Sequence, residues 1–128
     1  MRKDTFLSLY SGHTFEDWHT ECSDDFKKFA RGFKSYLKRN LPVNSEIVKH
    51  ACGHYWLSGF VRLGKQYIYY SYSWDRYSPV KVAGSTNIMD NVLIRFASGP
   101  SDSTGGPNMY ASIEELPWRI VKLFQSRS

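Results

Sequence analysis

The chain has 128 residues, and its 17 Lys and Arg against 12 Asp and Glu give a formal net charge of +5. This length allows one domain, and an aromatic content of 16% supplies a real core, which excludes global disorder. No apolar stretch approaches the roughly 20 residues that a membrane-spanning helix requires, so we expect no membrane partner. With only two cysteines, we expect a cytoplasmic protein rather than a disulfide scaffold.

The N-terminal part, residues 1–42, is predicted to be helical. Thr14 followed by Asp17 fits a capping box and predicts a short first helix. A longer second helix is predicted from Ser23, as its N-cap, to Asn40, shortly before a proline. A buried stripe at helical spacing is predicted on it, made of Phe26, Phe29, Ala30, Phe33, Tyr36 and Leu37.

The remaining residues, 43–128, are predicted to contain a β-hairpin first. Dense aromatic and β-branched residues on both sides of Gly64-Lys65 predict this hairpin over residues 54–74, with Val61 opposite Ile68. The core face of the hairpin then carries Tyr55, Leu57, Val61, Leu63, Ile68 and Tyr70. The opposite face carries His54, Trp56, Ser58, Phe60, Arg62, Tyr67, Tyr69, Ser71 and Ser73.

A third strand is predicted over Asn91–Ala97, where apolar residues surround a single arginine. Turn-rich loops are predicted over 77–90 and 98–108. Ser112 and Glu115 fit a capping box for a last helix, and Pro117 offers the alternative that the regular helix begins only there. The order of elements predicts a single α+β domain over residues 1–128, a small antiparallel sheet of the hairpin plus a third strand, with helices packed on one face.

A zinc site is one chemical interpretation, because all four histidines and both cysteines precede residue 55. His19 and Cys22, with Cys52 and His54, would supply two nitrogens and two sulfurs to a tetrahedral ion. The first pair is one helical turn apart, whereas the second pair in an extended strand would stand nearly 7 Å apart. The alternative is buried cysteines and ordinary hydrogen-bonded histidines, so the sequence leaves the metal open.

The second helix also carries a candidate binding surface. We call this surface the basic ridge, and it consists of Lys27, Arg31, Lys34 and Lys38. These four residues fall within an arc of about 60°, and Lys28 and Arg39 extend it. Such a ridge can bind phosphates or acidic protein, while Trp56 and Tyr69 on the sheet can anchor a partner or stack bases. The structural alternatives are a solvated helix face and a second packing layer.

Catalysis is the third interpretation. A metal-free ribonuclease needs a histidine general base and an arginine that stabilises phosphate charge. The candidate groups for it are His50, His54, Asp75, Arg76, Arg95 and Asp102. No hydrolase elbow, zinc-protease helix or pair of catalytic carboxylates is present. We therefore expect a protein without catalytic residues or cofactor, and a small ribonuclease-like toxin is the alternative.

Roughly residues 50 to 125 resemble a known group of proteins. The pattern includes Ser58-Gly59-Phe60, Tyr67, Tyr69, Asp75-Arg76, Val92-Leu93-Ile94-Arg95 and Asp102-Ser103-Thr104-Gly105-Gly106-Pro107-Asn108. It resembles small accessory proteins of phages and conjugative elements of Gram-positive bacteria, although Ser98 stands where that pattern often has a basic residue. The resemblance implies a mobile-element protein and adds Asp75, Arg76, Arg95, Asp102 and Asn108 as candidate binding residues.

The leading functional hypothesis combines the missing catalytic motif with this resemblance. Small proteins of mobile elements often block host defence nucleases, as anti-CRISPR proteins do. We therefore expect a non-enzymatic protein that binds a Cas nuclease or its guide-RNA complex and blocks the nucleic-acid path. Direct nucleic-acid binding through the basic ridge is the runner-up, and the pattern sets neither the partner nor the oligomeric state.

Overall fold

A computed structural model of the chain describes residues 5–74, 87–102 and 105–127. Its helices are α1 (Thr5–Tyr10), α2 (Ser23–Asn40) and α3 (Leu116–Ser126). Its strands are β1 (Glu46–Cys52), β2 (Trp56–Leu63), β3 (Gln66–Ser73), β4 (Val92–Ala97) and β5 (Met109–Ala111). The strands form one antiparallel sheet in the order β1-β2-β3-β4-β5. The α+β class is confirmed, and the sheet is larger than the predicted hairpin plus one strand.

The hairpin has the predicted register. Val61 pairs with Ile68 and Leu57 pairs with Tyr72, around a turn in which Gly64 has a φ of 62°. That left-handed conformation suits glycine in a two-residue hairpin turn. Leu57, Val61, Ile68 and Tyr70 are all buried, so the core face was predicted correctly.

The long helix α2 packs its aromatic stripe on that core face. All six predicted stripe residues are buried. The Phe29 ring lies 5.1 Å from the Tyr72 ring, and the Phe26 ring lies 4.8 Å from the Trp74 ring. Each such side chain contributes roughly 1.5–3 kcal/mol on burial. The predicted cap is wrong by one residue, because Cys22 occupies the N-cap and makes no side-chain capping bond.

The segment around Thr14 is not the predicted helix. Both capping-box bonds form, since the Thr14 amide donates to Asp17 Oδ1 at 3.1 Å and the Asp17 amide donates to Thr14 Oγ1 at 3.2 Å. Only turns follow, because the chain bends to bury Phe15 and Thr20 and the Thr20 hydroxyl donates to the Phe15 carbonyl. The short helix α1, which the sequence did not predict, lies upstream instead.

Two strands escaped prediction, and both lie at the edges of the sheet. β1 has no clean alternation of apolar residues, because a bulge between Val48 and Ala51 places Lys49 at a φ of 53°. β5 has only three residues. A strand this short carries too little pattern for a period-two signal.

At the C-terminus, the Glu115 amide donates to Ser112 Oγ at 3.2 Å, as the capping box predicts. The regular helix begins only at Leu116 with a proline in its first turn, close to the predicted alternative. Within the described ranges, no helix is long and apolar enough to cross a bilayer. The predicted 77–90 loop falls largely outside the described residues.

Candidate functional site

The basic ridge lies on the solvent side of α2. All four of its residues are exposed, and so are Lys28 and Arg39. Within residues 5–74, 87–102 and 105–127, no ridge side chain takes part in an ion pair. The first turn of α2 is acidic, with Asp24 and Asp25. The helix therefore presents negative charge at its N-terminal end and the exposed positive charges of the basic ridge further along.

One flank of the ridge borders the edge strand β1 through His50. The His50 Nδ1 atom lies 2.6 Å from the Tyr70 hydroxyl oxygen. Burial lowers the pKa of His50, the positive charge of Lys34 lowers it further, and a hydrogen bond with the Ala30 backbone opposes both. Burial also raises the pKa of Tyr70 above its usual value. These effects together favour the neutral form of the His50 imidazole beside Lys34.

The His50–Tyr70 pair was not predicted from the sequence, although a glycine in the middle of β2, Gly59, is a signal for it. Gly59 pairs with Tyr70 in the middle of β2, where glycine is unusual in a strand. A Cβ at this position would lie 2.5 Å from the Tyr70 hydroxyl oxygen and 3.1 Å from the His50 Cα. The missing side chain makes the space in which the two rings meet.

The outer face of the sheet is the face turned away from α2, and part of it is covered. Lys49 Nζ donates to Ser101 Oγ at 2.9 Å. Because β2 and β3 separate β1 from β4, this bond brings the loop after β4 close to a strand that is not its neighbour in the sheet. Phe60 on the outer face is only 8% exposed, although α2 lies on the other side. Phe60 is therefore not available as a contact surface, while the alternative of a packing layer under a helix stays untested.

Three predicted binding residues do meet on the outer face. The Arg95 guanidinium lies 5.3 Å from the centre of the Tyr69 ring, and Arg95 Nη1 donates to Asn108 Oδ1 at 2.9 Å. Tyr69 also packs against Phe60, with ring centres 5.3 Å apart. Arg95 thus links β4 to the residue that precedes β5, and its guanidinium group contacts two neighbours.

The other predicted binding residues are dispersed. Trp56 is 48% exposed, and its indole lies against Gly53 at the far end of β2. Asp102 accepts a hydrogen bond from the Ser98 hydroxyl at 2.8 Å, which shapes the loop locally. Asp75 and Arg76 lie outside the described residues.

The metal interpretation finds no support in the geometry. In the parts of the chain that the structure describes, no three His, Cys, Asp or Glu side chains come together as metal ligands. Cys22 and Cys52 are exposed free thiols, so the alternative in which both are buried is wrong. His19 instead lies 3.9 Å from an Asp25 carboxylate oxygen.

The predicted catalytic groups are not assembled by these contacts either. His50 contacts Tyr70 on the core face, whereas Arg95 contacts Tyr69 on the outer face. Adjacent residues of a strand point to opposite sides of the sheet. The sheet itself therefore separates this histidine from this arginine.

A scan against protein-family models matched none, and searches of curated proteins and of solved structures found no match. The resemblance to mobile-element proteins therefore stays a prediction.

Proposed function

We propose that this protein is a non-enzymatic binding protein whose basic ridge contacts the phosphate backbone of a nucleic acid. The observation that carries the proposal is the row of exposed cations on α2 from Lys27 to Arg39. The ridge residues form no ion pair with the described part of the chain. Phosphates would supply the missing negative charge.

The dimensions of the ridge agree with this ligand. Eleven helical steps from Lys27 to Lys38 span about 16 Å. A duplex carries one negative charge per roughly 1.7 Å of its axis, so several phosphates fall within that length. The outer sheet face is a poorer candidate for base stacking, because Tyr69 is already packed between Phe60 and Arg95.

Salt dependence tests this proposal directly. We expect labelled DNA to bind in fluorescence anisotropy, with an affinity that falls steeply between about 50 and 200 mM salt. The variant K27Q/R31Q/K34Q/K38Q should lose most of the affinity, and the slope of log K against log salt should decrease by about 0.9 for each phosphate contact that is lost. Binding that K27Q/R31Q/K34Q/K38Q leaves intact would contradict the proposal.

A matched control uses the exposed lysine of the hairpin turn, Lys65, and the exposed Lys122 of α3. K65Q/K122Q should leave both affinity and slope near those of the unmodified protein. Circular dichroism should give the same spectrum for all variants, because each substituted side chain lies on the surface.

We propose nuclease inhibition of the anti-CRISPR type, in a protein of a mobile genetic element, as the second candidate function. Trp56 favours it, since its indole is 48% exposed and exposed tryptophans often anchor protein interfaces. Inhibition should persist at a salt concentration that abolishes DNA binding by the protein alone. A purified Cas nuclease with its guide RNA would be assayed for target cleavage. Inhibition that W56A leaves unchanged would remove the support from Trp56.

A further inference from the structure

The cations of α2 are arranged in two flanks rather than in one row. With about 100° of rotation per residue, the line opposite the buried stripe passes between Arg31 and Ser35. Lys38, Lys27 and Lys34 lie about 40–80° to one side of this line. Lys28 and Arg39 lie about 40–60° to the other side. All seven of these side chains are exposed.

We propose that α2 binds in the major groove of duplex DNA, with one cationic flank on each phosphate strand. This proposal rests on the proposed function and narrows its ligand to a duplex. An α-helix fits the major groove of B-DNA, which is about 12 Å wide and bordered by phosphates on both sides. A single row of cations would need only one phosphate strand.

The midline of the helix agrees with this placement. Arg31 and Ser35 would face the base edges, where arginine and serine are suitable hydrogen-bonding groups. Asp24 and Asp25 in the first turn repel phosphates, so the contact begins at Lys27. α1 borders one side of α2, where Phe6 lies against Gly32, and β1 borders the other. The duplex would therefore approach between α1 and β1.

A comparison of duplex DNA with duplex RNA tests whether α2 binds in the major groove. The major groove of A-form RNA is deep and narrow and does not admit a helix. We expect the protein to bind duplex DNA at least tenfold more tightly than duplex RNA of the same sequence at equal salt. Equal affinity for the two duplexes would overturn the major-groove proposal while leaving phosphate binding in place.

The two flanks are then tested separately. K27Q/K34Q and K28Q/R39Q should each lower the slope of log K against log salt for duplex DNA by the equivalent of about two phosphate contacts. K65Q/K122Q should leave this slope unchanged. If K28Q/R39Q binds like the unmodified protein, α2 contacts one strand only and the two-flank geometry is wrong. If no nucleic acid binds at low salt, the proposed function fails as well, so the two failures are distinguishable.

Discussion

The two faces of α2 differ in how strongly the rest of the molecule constrains them. On the inner face, the ring of Phe29 lies within contact distance of six other aromatic rings, those of Phe6, Tyr10, Phe26, Phe33, Tyr72 and Trp74. On the outer face, the four ridge residues are exposed and make no ion pair with the described residues. Packing thus constrains the inner face and not the outer one, so substitutions on the outer face should change the charge of α2 without changing its stability.

The largest expected effect on the free energy of unfolding comes from a substitution on the inner face of α2. Phe29→Ala should lower the free energy of unfolding by about 3–5 kcal/mol, because it removes a fully buried ring and leaves a cavity. Ser35→Ala, on the exposed side of the same helix, should change it by less than about 0.5 kcal/mol. Urea unfolding followed by circular dichroism measures both. Similar losses for the two variants would show that the faces are not independent.

The second effect tests the sheet surface under α2. Gly59→Ala should cost about 1–3 kcal/mol, since the new methyl group would overlap the Tyr70 phenol against a fixed strand backbone. Gly99→Ala is the matched control, because nothing lies within 4 Å of the position where its Cβ would be placed. The same unfolding experiment decides the comparison, and a tolerated Gly59→Ala would mean that the His50–Tyr70 contact is not tightly packed.

A smaller effect is the pH dependence that His50 introduces at the border between the two faces. Its pKa is lowered by burial and by Lys34, so the unfolded chain binds a proton first as the pH falls. The free energy of unfolding should therefore decrease as the pH falls through about 6.5, the ordinary histidine value, and level off below the folded pKa. Urea unfolding at several pH values measures this dependence.

Two variants isolate the contribution of His50. His50→Gln should remove this part of the pH dependence, whereas His54→Gln should keep it because His54 is exposed. If His50→Gln leaves the pH profile unchanged, the imidazole is not the titrating group.

The smallest effect concerns the loop after β4, which Lys49 contacts through Ser101. Lys49→Ala removes the bond to Ser101, an exposed contact worth at most about 1 kcal/mol. Amide hydrogens of residues 98–102 should exchange faster, while the free energy of global unfolding should change little. Lys65→Ala, in the exposed hairpin turn, should leave this exchange unchanged. Unchanged exchange in Lys49→Ala would mean that other contacts hold the loop.

Local patterns were sufficient to predict the hairpin and α2. The register followed from alternation around Gly64, and the stripe and the ridge followed from the helical period of adjacent residues. The ridge is exposed because a helix with one apolar face turns its charged face to water. These features depend on residues near each other in the chain.

Other features could not be read from the chain because they depend on distant residues. β1 and β5 exist through pairing with β2 and β4, since neither has a clear period of its own. The same holds for the helix predicted after Thr14: the capping box forms, but the chain buries Phe15 and Thr20 and continues as turns. Tertiary packing, rather than propensity, decided these elements.

The sequence by itself thus determined that α2 has an aromatic face and a basic face, because both are properties of one helical period. Only the tertiary structure decided that His50 lies beside Tyr70, and that Lys49 on β1 reaches Ser101 in the loop after β4. These contacts join residues 20 and 52 positions apart. No local preference encodes such a separation, so the packed sheet and helices must bring the partners together.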